Sequence, residues 1–121
     1  MRPPGGLLAA AALAVVAAGC GTPGPEGSVR GTVDAFLRNC GHGDGPAAME
    51  MLVGPARATF VAEPGTRAGC ARILGASAGA ARVRAVAVDG ELATADVATA
   101  AGTRELSLSR GREGWRIEGP H

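Results

Sequence analysis

Between residues 29 and 74, apolar residues recur every three or four positions, which is the period of an amphipathic helix. Ser28 is a favourable N-cap residue and predicts the start of a first helix. The residues of this helix that share one apolar stripe are Val29, Val33, Phe36, Leu37 and Cys40. The glycine-rich segment 41–46 is expected to end it, since glycine supplies the left-handed conformation that terminates many helices.

Two shorter helical segments are predicted after this loop. Asp44 or Gly45 is expected to cap a second helix, which Gly54-Pro55 interrupts and restarts. Thr66 is expected to cap a third helix. Its inward-facing residues are predicted to be Cys70, Ile73 and Leu74.

Further along the chain the apolar period falls to two residues, the period of half-buried strands. Two such runs flank Asp89-Gly90, a dipeptide typical of a two-residue type I′ hairpin. A third run places Leu106 and Leu108 on one face, and a fourth pairs Trp115 with Ile117. Helices first and strands afterwards predict an α+β domain, with helices packed on one face of a curved four-stranded antiparallel sheet.

The first apolar run of the chain, residues 7–18, has twelve residues and follows Arg2. A membrane-spanning helix needs about 20 apolar residues, so this run has the length of a signal-peptide core instead. Ala17-Ala18-Gly19 and then Cys20 follow at once, and this junction resembles the lipobox of bacterial lipoprotein signal peptides. Ala17 departs from the large aliphatic residue usual there, and an ordinary cleaved signal peptide with an incidental cysteine is the alternative.

Together with the predicted α+β elements, the lipobox resemblance predicts a chain of three parts. Residues 1–19 would be the signal peptide, residues 20–27 the lipidated cysteine and a flexible linker, and residues 28–119 a single α+β domain. In that family the thiol of the cysteine, here Cys20, carries diacylglycerol, and two acyl chains are enough for stable anchoring. The expected location is the outer face of the cytoplasmic membrane.

Composition and charge add little about partners. The chain has a formal net charge of +1, and after Cys20 eleven arginines face eleven carboxylates, with no basic stripe of the kind that binds nucleic acid. Arginine without any lysine, together with abundant alanine and glycine, points to a high-GC bacterium. One Trp, two Phe and no Tyr make a lean core, which a covalent crosslink would help to stabilise.

Cys40 and Cys70 are the two cysteines that remain once Cys20 is lipidated. Both are predicted to face inward on neighbouring helices, and exported proteins occupy an oxidising compartment, so we expect a disulfide that closes a loop of about 30 residues. The alternatives are two free buried thiols or one reactive thiol near His42. Neither cysteine has a second one close enough in sequence for a zinc site.

The opening helix "VDAFLRNCGHGD" and the closing "GWRI" resemble the nuclear transport factor 2-like, or cystatin-like, α+β superfamily over residues 28–118. The likeness is greater to its small secreted lipoproteins from high-GC Gram-positive bacteria. The resemblance implies a cone, in which a curved sheet wraps the first helix and leaves a pocket at its open end. Members include enzymes, ligand binders and domains without activity, so the fold alone does not choose a function.

Candidate residues for a pocket are Asp34, Asp96 and His42. A histidine and a carboxylate can act as acid and base. His42 and Asp96 each also have a structural alternative. His42 can lie in a solvated loop, with Asp44, two residues later, as the N-cap of the next helix. Asp96 can be a strand carboxylate that pairs with an arginine. Arg82 and Arg84 alternate along one strand, so they either clamp an anion or form a solvated face.

Two function hypotheses follow. The first is a non-catalytic lipoprotein that is attached to the membrane by its lipid and binds a small apolar ligand or a protein partner. The second is a small enzyme of the nuclear transport factor 2-like superfamily with an acid–base pair inside the cone. No metal, cofactor or nucleic acid is expected in either case. A carboxylate beside a histidine in a closed apolar cavity would favour the enzyme.

Overall fold

Four helices precede four strands in the computed structural model, which describes residues 24–120. The helices are α1 (Pro25–His42), α2 (Gly45–Glu50), α3 (Gly54–Ala62) and α4 (Thr66–Leu74). The strands are β1 (Arg82–Asp89), β2 (Leu92–Thr99), β3 (Gly102–Gly111) and β4 (Gly114–Pro120). They pair antiparallel in the order β1-β2-β3-β4. The predicted α+β class and four-stranded meander are therefore confirmed.

The predicted signal peptide over residues 1–19, the lipidation site at Cys20 and the first part of the linker lie outside the described residues. The last part of that linker is helical, because α1 begins at Pro25. Gly24 is the N-cap, so the prediction that Ser28 caps this helix is wrong. Proline suits the first helical position because its missing N–H has no partner there and its φ already matches a helix.

The predicted N-cap residue is correct for α2 and wrong for α4. The side chain of Asp44 accepts a hydrogen bond from the Ala47 N–H at 3.2 Å and caps α2, as one of the two predicted choices. For α4, Gly65 is the N-cap and Thr66 is the first helical residue, so the predicted threonine cap is wrong.

The interruption at Gly54-Pro55 separates α2 from α3 completely, which makes four helices rather than three. The intervening residues run beside β4: the Val53 N–H donates to the Ile117 carbonyl at 2.9 Å, and the Ile117 N–H donates to the Met51 carbonyl at 2.7 Å. Leu52 and Ile117 form a parallel bridge there. This segment therefore covers one edge of the sheet at Ile117, and β1 forms the opposite edge.

The helices and one face of the sheet bury a single core. From α1 it contains every residue of the predicted apolar stripe. From the sheet it contains Ala93, Ala95, Val97, Leu106, Leu108, Trp115 and Ile117. Trp115 is 4% exposed and Ile117 is 0% exposed, which confirms their predicted burial.

The hairpin between β1 and β2 exists, but its turn is one residue later than predicted. Asp89 pairs with Leu92, so the loop residues are Gly90 and Glu91. Gly90 has φ +65°, while Glu91 has no positive φ. A positive φ at the first loop position alone fits a type II′ turn, whereas type I′ needs it at both.

Cys40 at the end of α1 and Cys70 in α4 are joined by a disulfide, as predicted. Their Cα atoms lie 6.1 Å apart and 30 residues apart in sequence. The bond ties the first helix to the last one, across the two short helices between them.

Candidate functional site

The face of the sheet that points away from the helices, called here the outer face, carries small and polar side chains. Cross-strand pairs on it include Ala87 with Thr94 and Thr94 with Ser107. Leu92 also belongs to this face and is 61% exposed, one of the two large hydrophobic residues exposed in the described part of the chain. A single exposed leucine is ordinary on a protein surface, so this face is a candidate contact surface because of the groove that adjoins Leu92.

A groove of about 300 Å³ runs over the outer face at Leu92. Ala87, Thr94 and Ser107 line it, and the carboxylates of Asp89 and Glu118 border it. An apolar group can therefore rest on the floor, while a cationic group at the border would meet two acidic side chains.

Asp96 lies in the middle of β2 on this same outer face and is half-buried. The strand register places it opposite Glu105 rather than opposite an arginine, contrary to the expected carboxylate–arginine pair. Its neighbours Ala95 and Val97 point to the core and are fully buried. The sheet thus separates Asp96 from all four helices.

Asp34 and His42 are both exposed on α1, on the other side of the sheet from Asp96. They are eight residues apart, which corresponds to about 12 Å of helix rise. His42 is the last residue of α1 and is followed by the left-handed Gly43, with φ +72°. The structure therefore does not bring Asp34, Asp96 and His42 together, and none of the three lies in a closed cavity beside another.

Arg82 and Arg84 lie at a point where the regular pairing of β1 with β2 is interrupted. A register shift falls between Val83 and Ala85, and Arg84 has no paired residue on β2. Both arginines are exposed at the edge strand β1. Nearby, Nη1 of Arg30 in α1 donates to the Val83 carbonyl at 3.3 Å.

Sequence reasoning missed a group of arginines at the turn between β3 and β4. Arg110, Arg112 and Arg116 belong to the hairpin. Arg57 of α3 lines one surface groove with Arg112 and Arg116, and Arg110 lines an adjacent groove with Arg116. We call these four residues the basic hairpin cluster. The spacing of the three hairpin arginines is visible in the sequence, but the fourth is more than fifty positions away and joins only through the fold.

Two arginines of the cluster, Arg110 and Arg116, contact Trp115. The guanidinium of Arg110 lies over the Trp115 ring, 6.0 Å from its centroid, within the range of a cation–π contact. Arg116 donates from Nη1 to the Trp115 carbonyl at 2.8 Å and lies 3.7 Å from a carboxylate oxygen of Glu113. In residues 24–120, no carboxylate lies within ion-pair distance of Arg57, Arg110 or Arg112.

Residues 24–120 contain no group of three or more histidine, cysteine or carboxylate side chains that could hold a metal ion. None of the helices in that range is long and apolar enough to cross a membrane.

No protein-family model, no curated protein and no solved structure matches this chain. The nuclear transport factor 2-like resemblance stays a prediction.

Proposed function

We propose that this chain is a membrane-anchored extracytoplasmic lipoprotein whose folded domain is non-catalytic and binds a protein partner. The observation that carries the anchor is the pairing of the cysteines. Cys40 and Cys70 are linked to each other, so Cys20, at the end of the early apolar run, is the thiol left for lipidation. The disulfide also supports export, since such bonds persist mainly in oxidising compartments. The proposed location is the outer face of the cytoplasmic membrane.

The shape of the outer face supports a protein partner over a small apolar ligand. Pockets for small ligands usually bury about 70–90% of the ligand surface. The groove at Leu92 lies on an open sheet face, and Leu92 itself is 61% exposed, so a small molecule there would keep much of its surface in water. A protein surface would cover the leucine, with Asp89 and Glu118 forming the polar rim typical of interfaces.

The anchor is tested by metabolic labelling with a fatty-acid analogue. The wild type should be labelled and sediment with membranes, whereas Cys20→Ala should lose both properties. The Cys40→Ala/Cys70→Ala double variant is the control, because it removes two thiols that are not proposed to carry lipid. Equal labelling of Cys20→Ala and the wild type would reject the lipoprotein assignment.

The binding face is tested by co-purification from detergent-solubilised membranes with Leu92→Asp. Val61→Asp on α3 is the matched control, since Val61 is 58% exposed and receives the same charge. A protein retained by the wild type and Val61→Asp but lost with Leu92→Asp would support the outer face as the binding surface. Retention or loss in both variants alike would reject it.

A further inference from the structure

The basic hairpin cluster lies beside the point where the described chain begins. Gly24 lines one groove together with Arg110, Trp115 and Arg116. In the same region Oγ1 of Thr32, in the second turn of α1, lies 3.5 Å from the Trp115 carbonyl oxygen. The start of α1 and the β3–β4 hairpin therefore share one end of the domain.

This end carries local positive charge in a domain that is neutral as a whole. The cluster contributes four guanidinium groups, and Glu113 is the carboxylate that lines the grooves with them. Glu26 lies in the first turn of α1. Asp89 and Glu91 belong to the β1–β2 hairpin at the same end of the sheet, and the Glu91 carbonyl accepts a hydrogen bond from the Arg110 N–H at 2.9 Å, so Glu91 lies beside the cluster on its β2 side. The positive charge of the cluster is therefore concentrated at Arg57 and the β3–β4 turn, and Glu91 reduces it on the β2 side, next to Arg110.

The chain length available before Gly24 limits how far this end can move from a lipid anchor. Cys20 precedes Gly24 by four residues, and four residues span at most about 14 Å. The Debye length is about 8 Å at physiological ionic strength and about 30 Å at 0.01 M. At physiological ionic strength the field of an anionic membrane therefore acts on the cluster only when the cluster is within about 8 Å of the surface, and at 0.01 M it acts over the whole reach of these four residues.

We infer that the basic hairpin cluster docks on a bilayer surface bearing anionic headgroups and sets the orientation of the domain. The inference rests on the proposed lipid anchor at Cys20. The arginines suit this partner because their guanidinium groups hydrogen-bond phosphate oxygens in pairs. Contact through the hairpin fixes which end of the sheet faces the membrane, and Leu92, which pairs with Ser109 next to Arg110, lies at this same end.

The experiment uses the full lipidated chain in vesicles of phosphatidylcholine, alone or mixed with phosphatidylglycerol. Trp115 is the only tryptophan and belongs to the groove at the cluster, so quenching by nitroxide-labelled headgroups reports contact. The test variant is Arg57→Gln/Arg112→Gln, because neither residue stacks on Trp115. The matched control is Arg82→Gln/Arg84→Gln, which removes the same charge at the opposite end of the sheet.

We expect stronger quenching in the anionic vesicles than in the neutral ones, and loss of that difference at high salt. The test variant should lower the equilibrium constant for surface contact about 25-fold, since each basic side chain near an anionic surface contributes about fivefold. Glu113→Gln should raise it about fivefold by the same reasoning. The control variant should behave as the wild type.

The outcomes separate the two proposals. If the chain does not float with vesicles, the lipid anchor fails and the docking inference fails with it. Flotation with equal quenching in neutral and anionic vesicles overturns docking and leaves the anchor standing. Equal effects of the test and control variants show a general charge effect and also overturn it.

Discussion

Gly69 of α4 lies against the ring of Phe60 of α3, so closely that a Cβ on Gly69 would come within 2.8 Å of the Phe60 Cδ2 atom. Phe60 is 6% exposed and part of the core, so its ring has little room to turn away. The absence of a side chain at position 69 allows α3 and α4 to approach each other next to Cys70.

Gly69→Ala is therefore expected to destabilise the protein. Overpacking typically lowers the free energy of unfolding by about 1–3 kcal/mol. The higher helix propensity of alanine relative to glycine offsets at most about 1 kcal/mol of this loss. Gly31→Ala in α1 is the control, since a Cβ there meets no atom within 4 Å. That variant should gain about 0.5–1 kcal/mol. Urea titration of the two variants measures the change in the free energy of unfolding. Equal changes for Gly69→Ala and Gly31→Ala would contradict the close approach of Gly69 to Phe60.

Loss of the Cys40–Cys70 disulfide is expected to lower the free energy of unfolding by roughly 3.5 kcal/mol on the chain-entropy model. The reason is that the bond closes a loop with a sequence separation of 30 residues in the unfolded chain. Guanidinium titration of the protein with and without reductant measures the difference. Thiol counting on the denatured, unreduced protein should find neither Cys40 nor Cys70 free.

Trp115→Ala is expected to cost about 3–5 kcal/mol, as for other buried large-to-small substitutions. The side chain is 4% exposed and lies in the core face of β4. Leu92→Ala serves as the comparison and should stay within about 0.5 kcal/mol of the wild type, since it removes an exposed side chain. A change below about 1 kcal/mol for Trp115→Ala would place the indole outside the core.

Asp44→Ala is expected to cost about 1 kcal/mol, because it removes the side-chain acceptor for the Ala47 N–H at the start of α2. Ser28→Ala should be neutral or slightly stabilising, since Ser28 lies inside α1 and Gly24 is the N-cap. Thermal unfolding of the two variants measures this contrast. A larger loss for Ser28→Ala would contradict the observed start of α1.

The local pattern of the chain was sufficient to predict the elements and much of the core. Alternation placed Leu106 and Leu108 inside, and helical spacing placed Cys40 and Cys70 inward, which led directly to their disulfide. These features depend on residues within a few positions of each other, because the periods of helices and strands are local properties. The errors at Ser28, Thr66 and the Gly90 turn are shifts of one to a few residues, where several neighbours satisfy the same local rule.

Which surface residues lie close together depends on the tertiary structure. The register shift at Arg84 depends on how β1 pairs with β2, and it leaves Arg84 without a paired residue on β2. Arg57 lines a groove with Arg112 and Arg116 because α3 packs against β4. Asp34 and His42 are apart from Asp96 because the sheet lies between them. Residues far apart in the chain meet only through strand pairing and helix packing, and these depend on the sum of many long-range contacts rather than on any short pattern.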